Sequence, residues 1–210
     1  MFKKVIQLFL GFLLIALGVI LMRYASLGLN PWGTFHDGLS KILDIQFGTA
    51  SQLTGLLIIL LSLVLKIYPG IGTILNMYFC GFFINLIDNL EIIPMPSHIV
   101  SKVLYLVLSI WILSYGIYLY ISVGYGAGPR DGLMVGLIKL TGGKTSLIRT
   151  MIETTALILG FLMGGKVGIG TIISAFAIGH TIQYIFKIHN FNPKEVKHLS
   201  IIDSFSIIFK

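Results

Sequence analysis

The sequence Gly126-Ala127-Gly128-Pro129-Arg130-Asp131-Gly132 decides how this chain folds, because it has a weaker copy in Gly28-Leu29-Asn30-Pro31-Trp32-Gly33. The two stretches lie 98 positions apart. At the same spacing, Gly70-Ile71-Gly72-Thr73-Ile74 recurs letter for letter as Gly168-Ile169-Gly170-Thr171-Ile172. A fixed offset that holds across two motifs of different character indicates a duplicated unit.

The composition places the chain in a membrane. Of its 210 residues, 56% are hydrophobic and 11% are charged, and the mean hydropathy is +0.94. Soluble domains usually carry about 25% charged residues, so a soluble domain is excluded. The net charge of +7 does not indicate nucleic-acid binding, because the basic residues are scattered between apolar runs. Runs of about 20 apolar residues are long enough to cross a bilayer as helices.

Six apolar runs predict membrane spans, three in each copy. They are Val5–Met22, Thr49–Leu65, Gly72–Ile87, Val103–Ser122, Leu147–Met163 and Gly170–Phe186. Two further segments, Pro31–Asp44 and Pro129–Thr141, are too polar and too short to span, since a helix of about 14 residues reaches only ~20 Å. Proline suits the first turn of a helix, so we interpret both as half-helices that dip into the membrane or lie at its surface.

The predicted fold class is an all-α polytopic membrane protein with two inverted three-helix repeats, each containing a short Pro-initiated half-helix. Residues 4–88 resemble residues 102–186 without a gap. The predicted domains are a first membrane repeat (1–88), a linker (89–101), a second membrane repeat (102–186) and a basic, then apolar C-terminal tail (187–210). The apolar part of the tail, Ile201–Phe209, either rests on the membrane surface or belongs to a loosely ordered end.

The positive charges predict the topology. Three spans per copy turn the second copy upside down, and a cytoplasmic N-terminus then divides Lys and Arg 11 inside to 4 outside, as the positive-inside preference requires. The inside set is Lys3, Lys4, Lys66, Arg130, Lys139, Lys144, Arg149, Lys187, Lys194, Lys197 and Lys210. Fully spanning half-helices would give parallel repeats with the same division, so the length of the half-helices decides for six crossings and for two cytoplasmic termini.

The starts of the two half-helices form the predicted binding site. Inverted repeats with short Gly/Pro-interrupted segments at matching positions are typical of a transporter's binding site. A half-helix that begins within the membrane directs unpaired N–H groups and a positive dipole end at whatever lies in front of it. The alternative is that both segments serve packing alone. The predicted substrate-binding residues are Asn30, Pro31, Trp32, His36, Asp37, Gly128, Pro129, Arg130 and Asp131.

Arg130 is the strongest of these candidates, because a guanidinium can bind a carboxylate or phosphate with two hydrogen bonds. Its counterpart Trp32 offers an aromatic wall or a cation–π surface. Asp131 complements the positive end of its helix, and we favour that role over contact with a ligand. His36 and Asp37 give the first copy a polar pair of its own, although a lone histidine is more often a satisfied buried group.

Arg149 and Glu153 form either an ion pair or a proton relay. They stand four apart near the start of a span, so they face the same side and can pair. Ionisable residues inside a span mark function by default but usually pair. We favour the pair as a structural contact that holds helices together. The Gly-Ile-Gly-Thr-Ile copies predict close helix packing, while His180 and Gln183 share a face that could reach the cavity.

No sequence pattern indicates catalysis, a metal or a cofactor. The chain shows no nucleophile–base pattern, phosphate loop or metal-ligand spacing, and Cys80 is its one cysteine. We therefore expect no enzyme, no cofactor and no metal. The expected partners are the lipid bilayer, a small-molecule solute, and either a partner subunit or further copies of the chain, with no nucleic acid.

The motifs together resemble the YczE/YyaS/YitT group of bacterial integral membrane proteins, most closely its YczE branch. The resemblance rests on Leu27–Trp32, Gly126–Met134, Arg149 with Glu153, Gly164-Gly165 and Gly168–Thr171. Gly33 departs from it, since relatives commonly carry Asp there, and this weakens the case for a symmetric acidic pair. The resemblance implies a multi-spanning protein of the bacterial cytoplasmic membrane and implies no particular activity.

Three functions fit this sequence. The first is a transporter of a small anionic or zwitterionic solute, with its site between the two half-helix starts. The second is a substrate-binding membrane subunit that needs a separate energising partner, because the chain has no ATPase motif. The third is a non-transporting membrane accessory to a biosynthetic or export enzyme. We favour the first.

Overall fold

The computed structural model describes residues 2–126 and 128–193. These residues form eight helices and no strand: α1 (Phe2–Ala25), α2 (Pro31–Leu43), α3 (Phe47–Val64), α4 (Ile71–Leu90), α5 (Ile99–Val123), α6 (Pro129–Thr141), α7 (Thr145–Leu162) and α8 (Ile169–Ile188). The apolar tail segment Ile201–Phe209 lies outside the described residues.

Six of these helices, α1, α3, α4, α5, α7 and α8, are long and apolar enough to cross a membrane. The other two, α2 and α6, have 13 residues each and begin at Pro31 and Pro129. The predicted all-α class, the six spans and the two short Pro-initiated helices are therefore confirmed. The protein is a multi-pass membrane protein.

The helix bounds repeat at the spacing of the sequence motifs. Helices α2, α3 and α4 begin and end 98 positions before α6, α7 and α8 respectively. The pairing of helices follows the same rule, because α2 packs on α7 and α3 while α6 packs on α3 and α7. Each half-helix therefore packs between α3 and α7, which are equivalent helices of the two copies.

Helices α1 and α5 pack against each other and run in opposite directions. Gln7 near the start of α1 donates a hydrogen bond from Nε2 to Ser122 Oγ near the end of α5, at 2.7 Å. Farther along α1, Gly18 lies against Leu113. A Cβ at Gly18 would lie 2.7 Å from Leu113 Cβ, and one at Gly116 would lie 2.8 Å from Ile15 N. These two close contacts are equivalent under the 98-residue offset.

The loop before each half-helix is joined to the other copy by a backbone hydrogen bond. Gly170 N donates to Leu27 O, and Gly72 N donates to Tyr125 O, both at 2.7 Å. The donors belong to the Gly-Ile-Gly-Thr motifs that open α8 and α4, and the acceptors precede α2 and α6. The predicted packing role of these motifs agrees with this arrangement. We call these two bonds the loop clamps.

Glycine is required where the loops meet these motifs. Gly28 and Gly126 have φ angles of 110° and 133°, a region that residues with a Cβ rarely adopt. A Cβ at Gly28 would also lie 2.6 Å from the Thr171 hydroxyl, and one at Gly126 would lie 2.7 Å from the Thr73 hydroxyl. The loops approach the motifs so closely only because no side chain intervenes.

Replacing Gly18 by alanine should lower the thermal stability of the protein. The added Cβ would meet Leu113 Cβ at 2.7 Å and Leu113 N at 2.8 Å, and overpacking costs about 1–3 kcal/mol. That exceeds the gain of about 1 kcal/mol that alanine brings over glycine within a helix. The measurement is the midpoint of thermal unfolding of purified protein in detergent.

The matched control is Gly179→Ala in α8, where a Cβ would meet nothing within 4 Å. Only the helix-propensity gain then remains, so this variant should unfold at or above the wild-type temperature. An unfolding midpoint of Gly18→Ala that equals or exceeds that of Gly179→Ala would contradict the close crossing of α1 and α5.

Candidate functional site

A cavity of about 380 Å³ lies where the two half-helices begin. Each of the eight helices described above contributes to its wall. Pockets for small molecules usually measure about 300–1,000 Å³, so the cavity is large enough for a small solute. All of the predicted site residues except Asp37 line it, namely Asn30, Pro31, Trp32, His36, Gly128, Pro129, Arg130, Asp131, Arg149 and Glu153.

The second residues of the two half-helices face each other in this cavity. Trp32 in α2 and Arg130 in α6 are equivalent under the 98-residue offset. The guanidinium carbon of Arg130 lies 4.6 Å from the centroid of the Trp32 ring, well within the ~6 Å reach of a cation–π interaction. Pro31 and Pro129, one residue earlier, line the same cavity. The structure thus brings the two half-helix starts together.

Arg130 has an exposed side chain, although many protein atoms surround it. It is one of the residues that line the cavity. The carboxylates that act on its charge are those of Asp131 and Glu153. A cation surrounded by protein attracts an anion more strongly than one in bulk water. Among the cavity residues, Arg130 is therefore the strongest candidate to hold an anionic group.

The two half-helix starts differ in how their backbone N–H groups are satisfied. Asn30 caps α2, because its Oδ1 accepts a hydrogen bond of 2.7 Å from Gly33 N. The corresponding residue of α6 is Gly128, which has no side chain to do this. A Cβ at Gly128 would lie 2.9 Å from the Tyr120 hydroxyl. The start of α6 thus lacks an N-cap side chain and carries the acidic Asp131 in its first turn instead.

His36 and Asp37 point to different surroundings. His36 is buried, and its ring packs edge-on against Phe47 with centroids 5.8 Å apart. The carboxylate of Asp37 binds Lys41 Nζ at 2.8 Å and accepts a hydrogen bond of 2.9 Å from Lys166 N. Asp37 therefore ties α2 to the loop between α7 and α8, and the two residues do not form a polar pair in the cavity.

Arg149 and Glu153 form the predicted ion pair, with Arg149 Nε 3.1 Å from Glu153 Oε1. Both residues belong to α7. The pair therefore does not join two helices, which differs from the structural role favoured from the sequence. The two side chains are 60% and 35% exposed, and both line the cavity. The pair thus gives the cavity wall a second positive and a second negative charge.

Several cavity residues lie outside the sequence prediction. Asn76 and Ser174, equivalent under the offset, both line the cavity. Their matched positions in the two copies could have marked them as candidates in the sequence. Tyr120 also lines the cavity, and nothing in the sequence marked it. His180 and Gln183 are exposed and are not among the lining residues.

Comparison with known proteins places the chain in a family. A family model described as "Family of unknown function (DUF6198)" matches residues 2–187. An uncharacterized protein of Haemophilus influenzae is 30% identical over 187 residues, which cover 89% of this chain and 85% of that protein. No solved structure matches the chain.

Two relatives come from Bacillus subtilis. The uncharacterized membrane protein YczE is 34% identical over 178 residues, covering 84% of this chain and 82% of YczE. The uncharacterized protein YyaS is 21% identical over 182 residues, covering 84% of this chain and 89% of YyaS. These matches confirm the resemblance stated from the sequence motifs. The chain is therefore a member of the DUF6198 family and is similar to the membrane protein YczE.

Proposed function

We propose that this protein is a transporter, and not an enzyme, that carries a small anionic or zwitterionic solute across the bilayer. The observation that carries the proposal is the contact between Arg130 and Trp32 at the starts of two half-helices. It lies in a cavity walled by spans from both copies. An ionisable group among membrane spans is costly and marks a solute or ion path by default.

The charges around the cavity favour a solute that carries both signs. Arg130 and Arg149 contribute two positive charges, and Asp131 and Glu153 contribute two negative charges. The lining is therefore formally neutral. A carboxylate or phosphate fits the guanidinium of Arg130, while a cationic group fits the carboxylates. Apolar side chains supply the remaining wall and suit an apolar body.

The repeats are proposed to be inverted, with both termini in the cytoplasm. Support comes from α1 and α5, which occupy equivalent positions in the two copies and run antiparallel. The three candidate spans in each copy also support inversion, because an odd number of crossings places the second copy upside down relative to the first. Transporters with inverted repeats bind solutes near the bilayer midplane between the repeats, where this cavity would lie.

Replacing Arg130 by glutamine should weaken binding of the solute and slow its transport. The variant loses both the charge and the paired donors, so we expect affinity to fall at least about tenfold, or 1.4 kcal/mol. Binding is read from the fluorescence of Trp32 in a Trp111→Phe background, against a panel of amino acids, other zwitterions, carboxylates and phosphate esters. Transport is read from exchange of the radiolabelled hit in proteoliposomes.

The matched control is Lys139→Gln, which removes one positive charge from the exposed last turn of the same half-helix. Lys139 does not line the cavity, so this variant should bind and transport as the wild type does. A wild-type protein that moves no solute from the panel contradicts the transporter proposal. If it still binds one, the result favours a binding subunit that requires an energising partner.

Cysteines at equivalent positions should be labelled from opposite sides of the membrane. In a Cys80→Ser background, an impermeant maleimide applied to intact cells should label Leu43→Cys and Lys166→Cys. Labelling of Tyr68→Cys and Thr141→Cys should require permeabilised cells. All four native side chains are exposed at helix ends or in loops.

Leu43 and Thr141 are equivalent in the two copies, as are Tyr68 and Lys166. Each pair therefore contains its own control, because inverted repeats separate its members and parallel repeats place them on one side. Labelling of Leu43→Cys and Thr141→Cys from the same side contradicts the inverted arrangement.

A further inference from the structure

The two copies differ most in how their last two helices pack. Helices α3 and α4 lie in close contact, whereas the equivalent helices α7 and α8 scarcely touch each other. A Cβ at Gly81 in α4 would collide with Gly48 and Gln52 of α3. The equivalent of Gly81 is Gly179 in α8, where a Cβ would meet nothing within 4 Å. One helix pair is closed and the other is separated by a gap.

Hydrogen bonds from amide groups fasten the closed pair. Gly48 N donates to Asn85 Oδ1 at 2.8 Å, and Asn85 Nδ2 donates to Thr49 Oγ1 at 2.9 Å. One turn away, Gln46 Nε2 donates to Asn89 Oδ1 at 3.0 Å. We call this set the amide latch. It joins the start of α3 to the end of α4.

An ion pair reinforces the latch at the same end of α4. Asp88 binds the guanidinium of Arg23 at the end of α1. The Tyr24 hydroxyl donates to the second oxygen of Asp88 at 2.8 Å. The end of α4 is thereby fixed to α1 as well as to α3.

The α7–α8 pair has replaced the residues that would form such a latch. Lys144 and Lys187 stand where Gln46 and Asn89 stand in the first copy, and Leu147 stands in place of Thr49. Two cations cannot hydrogen-bond to each other, and leucine accepts no hydrogen bond. Glu153 stands in place of Gly55, which packs against Met77 of α4. Closing α7 on α8 would therefore bury the carboxylate of Glu153.

The cavity extends to this gap. The face of α8 that lines it runs through Ser174, Ile178 and Ile182, and α7 contributes Arg149 and Glu153. Burial of the helices shows the same difference. Within an 18-residue apolar stretch of each helix, 44% and 33% is buried in α3 and α4, but only 17% and 22% in α7 and α8. Arg130, whose side chain is exposed, lines the same cavity as these faces of α7 and α8.

We infer that this structure is one of two alternating states, in which the solute enters and leaves through the α7–α8 gap while the amide latch closes the route between α3 and α4. In the other state α7 closes on α8, with Gly179 packed as Gly81 is here, and α3 separates from α4. The inference rests on the proposed function. In the proposed topology the α7–α8 gap opens toward the cytoplasm.

The same residues oppose the closing of α7 on α8. Closing this gap removes water from Arg149 and Glu153, and burying charges is unfavourable unless other groups compensate them. A zwitterion bound beside Arg130 brings one charge of each sign to this wall. The solute therefore favours closure of α7 on α8, which without it is the rarer state that a disulfide can still trap.

The test uses two disulfides that lock different states. In a Cys80→Ser background, Thr49→Cys with Asn85→Cys joins α3 to α4, and Leu147→Cys with Gln183→Cys joins the equivalent positions of α7 and α8. The full-length protein is oxidised with copper phenanthroline in lipid vesicles, and free thiols are then counted by the mass shift with a maleimide polymer. Leu147 and Gln183 are exposed, so their replacement should leave the fold intact, as thermal unfolding will show.

We expect each disulfide to form when its pair is alone. In the four-cysteine variant, molecules with both disulfides should be about tenfold rarer than the product of the two single-pair fractions, because the two contacts belong to different states. The control pair, Leu162→Cys with Gln183→Cys, lies at opposite ends of α7 and α8 and should not form a disulfide.

Two results would overturn the inference. One is a folded Leu147→Cys, Gln183→Cys variant that never forms its disulfide, and the other is coexistence of both disulfides in the same molecules. Either can occur with normal solute exchange, which leaves the transport proposal standing. Mutually exclusive disulfides in a protein that exchanges no solute support the two states and remove the transport proposal instead.

Discussion

The loop clamps are the constraint on which the rest of this structure depends. A helix that begins inside a membrane protein leaves backbone groups that water cannot satisfy. Here the carbonyls of Leu27 and Tyr125, just before the two half-helices, accept hydrogen bonds from the glycines that open α8 and α4. Each copy therefore supplies the hydrogen-bond donor for a loop carbonyl of the other copy. Neither half-helix start would be held at the cavity without the partner copy, and Trp32 would not meet Arg130.

The contact between Trp32 and Arg130 shows what duplication can achieve once two copies diverge. When two copies pack about a two-fold axis, equivalent residues near the axis meet each other. Two arginines at this position would repel, and two tryptophans would leave no charge for a solute. One residue of each kind gives a cation that is partly compensated by the ring's negative face. The guanidinium edge then stays available for hydrogen bonding.

Much of the fold was predictable from the sequence because its signals are local. Pro31 and Pro129 mark helix starts, the short polar segments after them limit helix length, and the 98-residue offset relates one copy to the other. The pairing of Trp32 with Arg130 followed from the same offset. The role of Asp37 could not be predicted, because its partner Lys166 N lies 129 positions away and is a backbone group.

The difference between the two helix pairs was also beyond sequence reasoning. Gln46 and Asn89 are unremarkable polar residues in the sequence, and only the fold places their amides 3.0 Å apart. Their replacement by Lys144 and Lys187 is likewise meaningful only once α7 and α8 are known to be neighbours in the second copy. Gly48 packs against the backbone of Gly81. This contact could not be predicted either, because no local sequence pattern indicates which distant residue a glycine will meet.

The gap beside α7 and α8 has an electrical consequence. In the proposed two-state cycle, a water-filled cavity continuous with the cytoplasm would take the cytoplasmic potential, so the voltage would fall mainly across the α3–α4 side. Moving one net charge through that barrier involves about 2.3 kcal/mol per 100 mV. The charges that line the cavity sum to zero, so only the solute's own net charge counts. Passage of a zwitterion would be insensitive to voltage, whereas an anion would be driven outward by a negative interior.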